Sequence, residues 1–338
     1  MRRYRVALAG YYGFGNLGDE LLAEALVTSL LRHGVERGSI VILTNDAEGA
    51  KEKLGIDAVN RWSLADVSRV LIQSETFLLG GGGLFQDATS LRSCFYYWGL
   101  VRLAALLEAV PWAVGQSVGP FSTRLGPWLA RDALKRCRVL HVRDKASLFL
   151  CENWKFSPSP KAGHDPVLFL GDAFSAFLRV SRDEEVSPRL LVNLRPHPGG
   201  LPERFAEAIS AYARTFAGEV VGVALSAEDE ALMNHLAQEE KISLSRVERV
   251  TSLREAAQVF SGAAGAAGMR LHFAILAGMA RIPLVAAPYD PKVEAFAADC
   301  GVPLWREGPL PQPRAASLPS LETVKEEINI LYTEVLSS

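Results

Sequence analysis

The feature that most restricts how this chain can fold is the regular alternation of short apolar runs with segments of helical periodicity. The run Arg5–Gly10 ends in glycine, the loop Tyr11–Glu20 follows it, and a periodic segment then continues to Leu31. The same order returns at the strand-like runs Ile40–Leu43, Thr76–Leu79, Trp112–Val114, Val139–Val142, Leu190–Leu194, Val220–Ala224 and Pro283–Ala287. Helices are expected over Ala47–Leu54, Leu64–Ser74, Leu100–Glu108, Leu125–Arg136, Glu203–Phe216, Glu228–Gln238, Ser252–Phe260 and Leu321–Leu336. Strands separated by helices pair in parallel, so the expected class is α/β, built from βαβ units.

At 338 residues the chain exceeds one typical core and suits two domains. The charged stretch Ser181–Pro188 reads as the linker, giving an N-terminal lobe over 1–180 and a C-terminal lobe over 189–307. A Pro-rich link and last helix, 308–338, are expected to pack back on the first lobe. With 49% hydrophobic and 22% charged residues the composition is that of a globular protein, and a net charge of -2 argues against nucleic acid as partner. Cys94, Cys137, Cys151 and Cys300 lack paired metal spacing and are expected to be reduced thiols. The most apolar stretch, Leu100–Gly115, is broken by Arg102, Glu108 and Pro111, so it does not span a membrane. The expectation is a cytoplasmic protein, with a peripheral contact at the inner face of the membrane and a homo-oligomer both left open.

Ligands of open α/β sheets collect at the carboxyl edge, so the residues that follow strands are the candidates. Gly268-Met269-Arg270-Leu271-His272 opens a helix behind the glycine-rich Ser261–Gly268, whose N–H groups could approach an anion. Arg270 would grip that anion bidentately, and His272 beside it should have a raised pKa. Lys292, in Tyr289-Asp290-Pro291-Lys292, returns to the same edge, while Arg143 and Arg195 each end a strand. The ordinary alternatives are a surface arginine with a capped histidine at 270–272, and an ion pair with a nearby carboxylate at Arg143. Together these cations fit a small dianion or trianion held in a cleft between two lobes.

A second set is polar to acidic. Gly13-x-Gly15-x-x-Gly18 formally matches a dinucleotide fingerprint, but the second strand ends in Thr44-Asn45 instead of an acid. Asp19-Glu20 would repel a pyrophosphate and suit sugar hydroxyls, so Asn16 and Asp19 read as hydroxyl-binding or general-base groups, unless Asp19 merely caps its helix. Four glycines, Gly80–Gly83, cost chain entropy; either a substrate approaches them closely or they form a structural turn. Gly81, Gly82, Gly83, Gln86, Asp87 and Gln116 complete a set suited to a hydroxylated acceptor. The aromatic cluster Phe95–Trp98 suits the core, a sugar ring or a membrane interface. No Ser-His-Asp order, HExxH or P-loop lysine occurs, leaving group transfer without metal or bound cofactor.

Taken together, Gly13–Glu20, Gly80–Asp87, Gly115–Pro120, Val142-Arg143-Asp144, Gly268–His272 and Tyr289–Lys292 resemble the polysaccharide pyruvyl transferases. The nearest branch resembles the CsaB type, which pyruvylates secondary cell wall polymers for S-layer anchoring. The resemblance implies two Rossmann-like lobes in a GT-B-like arrangement with the active site in the interlobe cleft. It implies phosphoenolpyruvate as donor and a lipid-pyrophosphate-linked disaccharide containing N-acetylmannosamine as acceptor, met at the membrane surface. Donor-binding positions correspond to Arg143, Arg270, His272 and Lys292; Arg195 is added from its place at a strand end. The catalytic expectation is His272 as acid and Asp19 as base. His164, before Asp165-Pro166, departs from the family pattern and receives no role. A GT-B glycosyltransferase using a nucleotide sugar is the alternative, and a sugar-phosphate-binding protein without catalysis is a third.

Overall fold

The computed structural model describes residues 2–88, 90–181 and 187–337. Most of the expected linker, 182–186, lies outside them. By packing, the chain divides into two units, one comprising the stretch to Phe14, Asp19–Phe169 and the stretch from Ser320, the other Gly15–Gly18 and Leu170–Pro319.

The first unit contains β1 (Tyr4–Ala9), α1 (Leu17–Arg32), β2 (Ile40–Thr44), α2 (Ala47–Leu54), β3 (Asp57–Asn60), α3 (Leu64–Ile72), β4 (Ser74–Leu79), β5 (Gly82–Phe85), α4 (Leu91–Leu106), β6 (Val110–Val118), α5 (Leu125–Leu134), β7 (Leu140–Val142), α6 (Lys145–Asn153) and β8 (Lys161–Ala162). Its sheet runs β3-β2-β1-β4-β6-β7-β8, with β5 also on β6, and its described pairings are parallel. Val6 registers with Ile40 on one side and Thr76 on the other, and Val6, Leu8, Ile42 and Leu78 are sealed between helical layers. Burial on both faces is why these runs are continuously apolar instead of alternating.

The second unit contains α7 (Gly171–Val180), β9 (Arg189–Asn193), α8 (Leu201–Ala213), β10 (Glu219–Ala224), α9 (Ala227–Gln238), β11 (Arg246–Arg249), α10 (Leu253–Phe260), β12 (Gly265–Gly268), α11 (Leu271–Met279), β13 (Leu284–Ala286) and α12 (Pro291–Cys300). Its parallel sheet has the order β11-β10-β9-β12-β13. The last helix, α13 (Leu321–Leu336), belongs to the first unit, where Tyr332 meets Ser29 at 2.5 Å and stands edge-on to Trp112.

The structure corrects several expectations. The division falls at Phe169/Leu170 instead of residue 180, because α7 packs on α10: Arg254 lies over the Phe177 ring and Ser261 Oγ donates to Leu178 O. Helix α4 starts at Leu91, capped by Ser90, so Phe95–Trp98 lie inside it and not before it. Strand β6 extends through Val118, which puts Gly115–Val118 in the sheet instead of a loop. The short polar edge strands β3, β8 and β11 carry no apolar run to mark them.

Candidate functional sites at the two switch points

In each sheet the order reverses once, between β1 and β4 in the first unit and between β9 and β12 in the second. Chains leaving two adjacent strands in opposite directions open a crevice at the carboxyl edge.

In the second unit that crevice is built by Asn193, Arg270 and Asp229. Asn193, wholly buried at the end of β9, accepts from Arg270 N at 3.0 Å through Oδ1 and donates to Val223 O through Nδ2 at 2.9 Å. Arg270 donates Nε to Asp229 Oδ2 at 2.5 Å, and Nη2 to Asp229 Oδ1 at 2.6 Å and Ser226 Oγ at 2.7 Å. Asp229 is 0% exposed and also accepts from Leu225 N. The bidentate carboxylate expected from a ligand is therefore supplied by the protein, and Asp229 is a residue that sequence reasoning missed. Its one local signal is the Ser226-x-x-Asp229 cap that opens α9.

The glycine-rich Ser261–Gly268 is likewise corrected. Gly265–Gly268 is the strand β12, and Ala264 N, Ala266 N and Met269 N are spent on Arg189 O, Pro283 O and Asn193 O. Gly268 is glycine because a Cβ there would overlap the Phe273 ring.

His272 stands half-buried in the first turn of α11. Gly18 lies against it: a Cβ on Gly18 would overlap imidazole Nδ1. That loop is pinned within the second unit by Leu17 N to Leu225 O at 2.8 Å and by Arg249 Nη2 to Gly15 O at 2.8 Å, and it carries Asn16, half-buried. Lys292 opens α12 beyond the neighbouring β13, its Nζ 3.1 Å from Asp290 Oδ2. The Arg195 guanidinium stacks 4.2 Å from the Tyr289 ring centroid, with Lys292 Nζ 5.7 Å from the same ring. Tyr289 thus joins two cations that lie far apart in the sequence.

In the first unit Gly80 N donates to Ala9 O, closing β1 on β4. A Cβ on Gly80 would overlap the buried Tyr12 hydroxyl, and one on Gly81 would crowd Leu22 and Gly115 O. Those two glycines answer to packing. Gly82 differs: its φ of 118° is a glycine conformation, and a Cβ there would stand in ordinary contact with Leu84 and Leu22 and 3.7 Å from Asp19 Oδ1. A Cβ on Gly83 would meet nothing within 4 Å, and Gln86 and Asp19 are half-buried.

Gln116, Asp87 and Arg143 each have partners within the protein. Gln116 is wholly buried, with Nε2 donating to Leu79 O at 3.1 Å and to Gly80 O, so it ties off β4, while its Oε1 is buried with no hydrogen-bond partner among the described residues. Asp87 accepts from Ser122 N, Thr123 N and Thr123 Oγ1; burial would raise its pKa, but these bonds outweigh that and hold it below the usual carboxylate value. Arg143 is 4% exposed at its side chain, paired with Asp165 at 2.5 Å and donating Nε to Ser117 Oγ at 2.9 Å. Its ion-pair alternative is the arrangement found. Asp165 is thus part of the first unit's charge network, as is His164 beside it, whose Nδ1 lies 2.8 Å from Glu327 Oε1.

The four thiols are free and buried; burial pushes Cys137 and Cys151 up to about 12 and Cys94 and Cys300 up to about 11, which makes them poor nucleophiles. Among the described residues no group of three or more His, Cys, Asp or Glu side chains could hold a metal ion, and no helix is long and apolar enough to cross a membrane.

A family model described as polysaccharide pyruvyl transferase matches residues 16–291, most of the chain and all the motifs just placed from Asn16 to Pro291. Similar solved structures include Alr3699/HepE of Anabaena in complex with UDP-glucose, at TM-score 0.56 and 13% identity over 98% of this chain and 90% of that one. UDP-GlcNAc 2-epimerase from Methanocaldococcus jannaschii gives 0.61 at 10% identity over 97% and 99%. The S. aureus MnaA-UDP co-structure gives 0.60 at 11% identity over 97% and 87%. At these identities the likeness is one of fold: parallel α/β architecture of the kind shared by GT-B-type transferases and epimerases. No curated protein matches the chain.

Proposed function

This chain belongs to the polysaccharide pyruvyl transferase family and is a transferase, and on that premise we propose that it moves pyruvate from phosphoenolpyruvate onto an N-acetylmannosamine-type sugar of a lipid-pyrophosphate-linked cell wall glycan precursor, as a ketal, releasing phosphate. The observation that carries the donor side is the second switch point. There Arg270 is locked in place by Asp229, Ser226 and Asn193, His272 follows two residues on, and Lys292 with Arg195 flanks Tyr289. Such fixed cations suit a small, highly charged donor better than a base or ribose. Phosphoenolpyruvate is a substrate here, with no other cofactor.

The chemistry requires a proton on the methylene carbon of phosphoenolpyruvate, which turns its central carbon into an oxocarbenium-like electrophile. A sugar hydroxyl adds there and loses its proton, phosphate departs, and a second hydroxyl closes the ring and loses its own. His272 is the acid in this scheme. Asp19 is the base, with Gly82, Gly83 and Gln86 of the first unit as acceptor-side residues, and Asn16, on the loop of the second unit, as a further hydroxyl-binding group. S-layer anchoring is the cell process such a product would serve.

The UDP-glucose and UDP bound in the similar solved structures make a nucleotide-sugar glycosyltransferase the second reading. Thermal melting separates the two: phosphoenolpyruvate should raise the melting temperature and UDP should not. Phosphate release from phosphoenolpyruvate that depends on added wall glycan, with acid-labile pyruvate on the sugar, completes the test. Stabilisation by UDP alone would reverse the choice.

A further inference from the structure

The outer layer formed by α4 and α5 in the first unit is charged and apolar in an unusual combination. Its basic side chains are Arg92, Arg102, Arg124, Arg131, Lys135 and Arg136, in a chain whose net charge is -2. Asp132 answers them as the one carboxylate within these two helices, and it is buried: it accepts from Trp98 Nε1 and Arg102 Nη1, both at 2.9 Å, and pairs with Lys135 and Arg136. Those bonds outweigh its burial and hold it well below the usual carboxylate value.

Among these cations stand large apolar groups exposed to solvent. Trp128 is 55% exposed, Phe95 46% and Leu125 40%, and Leu106 projects further along α4. Phe95 meets Trp98 edge-on, Trp98 meets Trp128 at 6.2 Å between centroids, and Arg102 lies 5.3 Å over Trp98. Spacings of three and four place Phe95, Trp98 and Arg102 on one face of α4, and Arg124, Trp128, Arg131 and Lys135 on one face of α5. The rings are therefore held in place by each other and by Asp132, with their outer edges bare.

We propose that this face docks the protein reversibly on an anionic lipid surface. Tryptophan and phenylalanine favour the headgroup boundary, and arginine and lysine beside them gain from anionic lipid phosphates. Charge decides against a second copy as the occupant, because a two-fold contact would set these cations against their own counterparts. An exposed aromatic cluster decides against a solvated basic face, since one made only of arginine and lysine would need no rings.

The test uses the intact chain and vesicles of phosphatidylcholine, with and without phosphatidylglycerol, and does not depend on the transfer reaction. The protein should sediment with the anionic vesicles and be released by salt. Phe95→Ser with Trp128→Ser should lower the partition by about tenfold or more, and so should Arg124→Glu with Arg131→Glu. The arginine pair is exposed, so its folding is not at risk if the aromatic pair misfolds. Equal or absent binding to both vesicles overturns the proposal. Self-association abolished by the aromatic substitutions, or salt-sensitive binding to duplex DNA without vesicle binding, overturns it as well.

Discussion

Arg270 and Asp229 meet at two points, Nε to Oδ2 at 2.5 Å and Nη2 to Oδ1 at 2.6 Å, and the carboxylate has no exposure to solvent. The pair fixes the arginine that heads the second switch point, at the cost of burying an anion that depends on it. Asp229→Ala should therefore destabilise the protein by about 3–5 kcal/mol, while Asp229→Leu combined with Arg270→Met should recover most of that. Urea unfolding measures both. Phosphoenolpyruvate affinity decides the rest: the double variant should have lost it, and normal affinity in a stable double variant would reduce Arg270 to a structural residue.

Arg143 and Asp165 form the corresponding pair of the first unit, with side chains 4% and 8% exposed. Asp165→Ala leaves the Arg143 charge buried with Ser117 Oγ as its remaining side-chain partner. A loss of about 3 kcal/mol or more in unfolding free energy is expected. A loss under about 1 kcal/mol would mean that the pair is solvated in solution.

The glycine run should divide by substitution. Gly80→Ala places a methyl on the Tyr12 hydroxyl and should cost about 1–3 kcal/mol as overpacking. Gly83→Ala meets nothing within 4 Å and should leave stability within about 0.5 kcal/mol. Acceptor KM is the informative readout for Gly83→Ala, because only a bound substrate could notice its methyl. An unfolding free energy unchanged by Gly80→Ala would contradict the packing described.

His141 introduces a pH dependence. Its Nδ1 accepts from Gly115 N at 2.9 Å, and burial pushes the imidazole down to about 4, against a partial upward pull from Glu327. The folded state thus binds the proton less readily than the unfolded chain, where histidine titrates near about 6.5. The neutral ring's contribution is complete above about 6.5 and is lost as pH falls toward 4, by up to about 1.4 kcal/mol per pH unit. His141→Asn, which keeps an acceptor for Gly115 N, should flatten that part of the stability profile. Identical slopes in the two proteins between pH 6.5 and 4 would refute the assignment.

For His272 the decisive substitution is glutamine, which still donates a hydrogen bond but delivers no proton. Affinity for phosphoenolpyruvate should stay within about tenfold, roughly 1.4 kcal/mol, while turnover falls at least about a hundredfold. Near-normal turnover would leave His272 as a binding residue and send the search for the acid elsewhere.

Strand and helix periods are local, so the α/β alternation, the limits of α2 and α13 and the strand-end positions of Arg270, His272 and Lys292 were legible from composition along the chain. Polar edge strands such as Arg246–Arg249 were not, because nothing buries enough of them to impose an apolar pattern. Nor was Gly265–Gly268, a central strand made only of glycine and alanine, whose identity as a strand comes from the neighbours β9 and β13. What only the tertiary structure decided is the partner of each buried charge. Arg143 meets a carboxylate 22 residues away and Arg270 one 41 residues away, and no period along the chain links such positions. The sequence determined which residues reach the carboxyl edges of the sheets; the fold determined that Asp87 and Arg143 are held there by the protein itself, because a buried polar group must be satisfied wherever the chain happens to bring a partner.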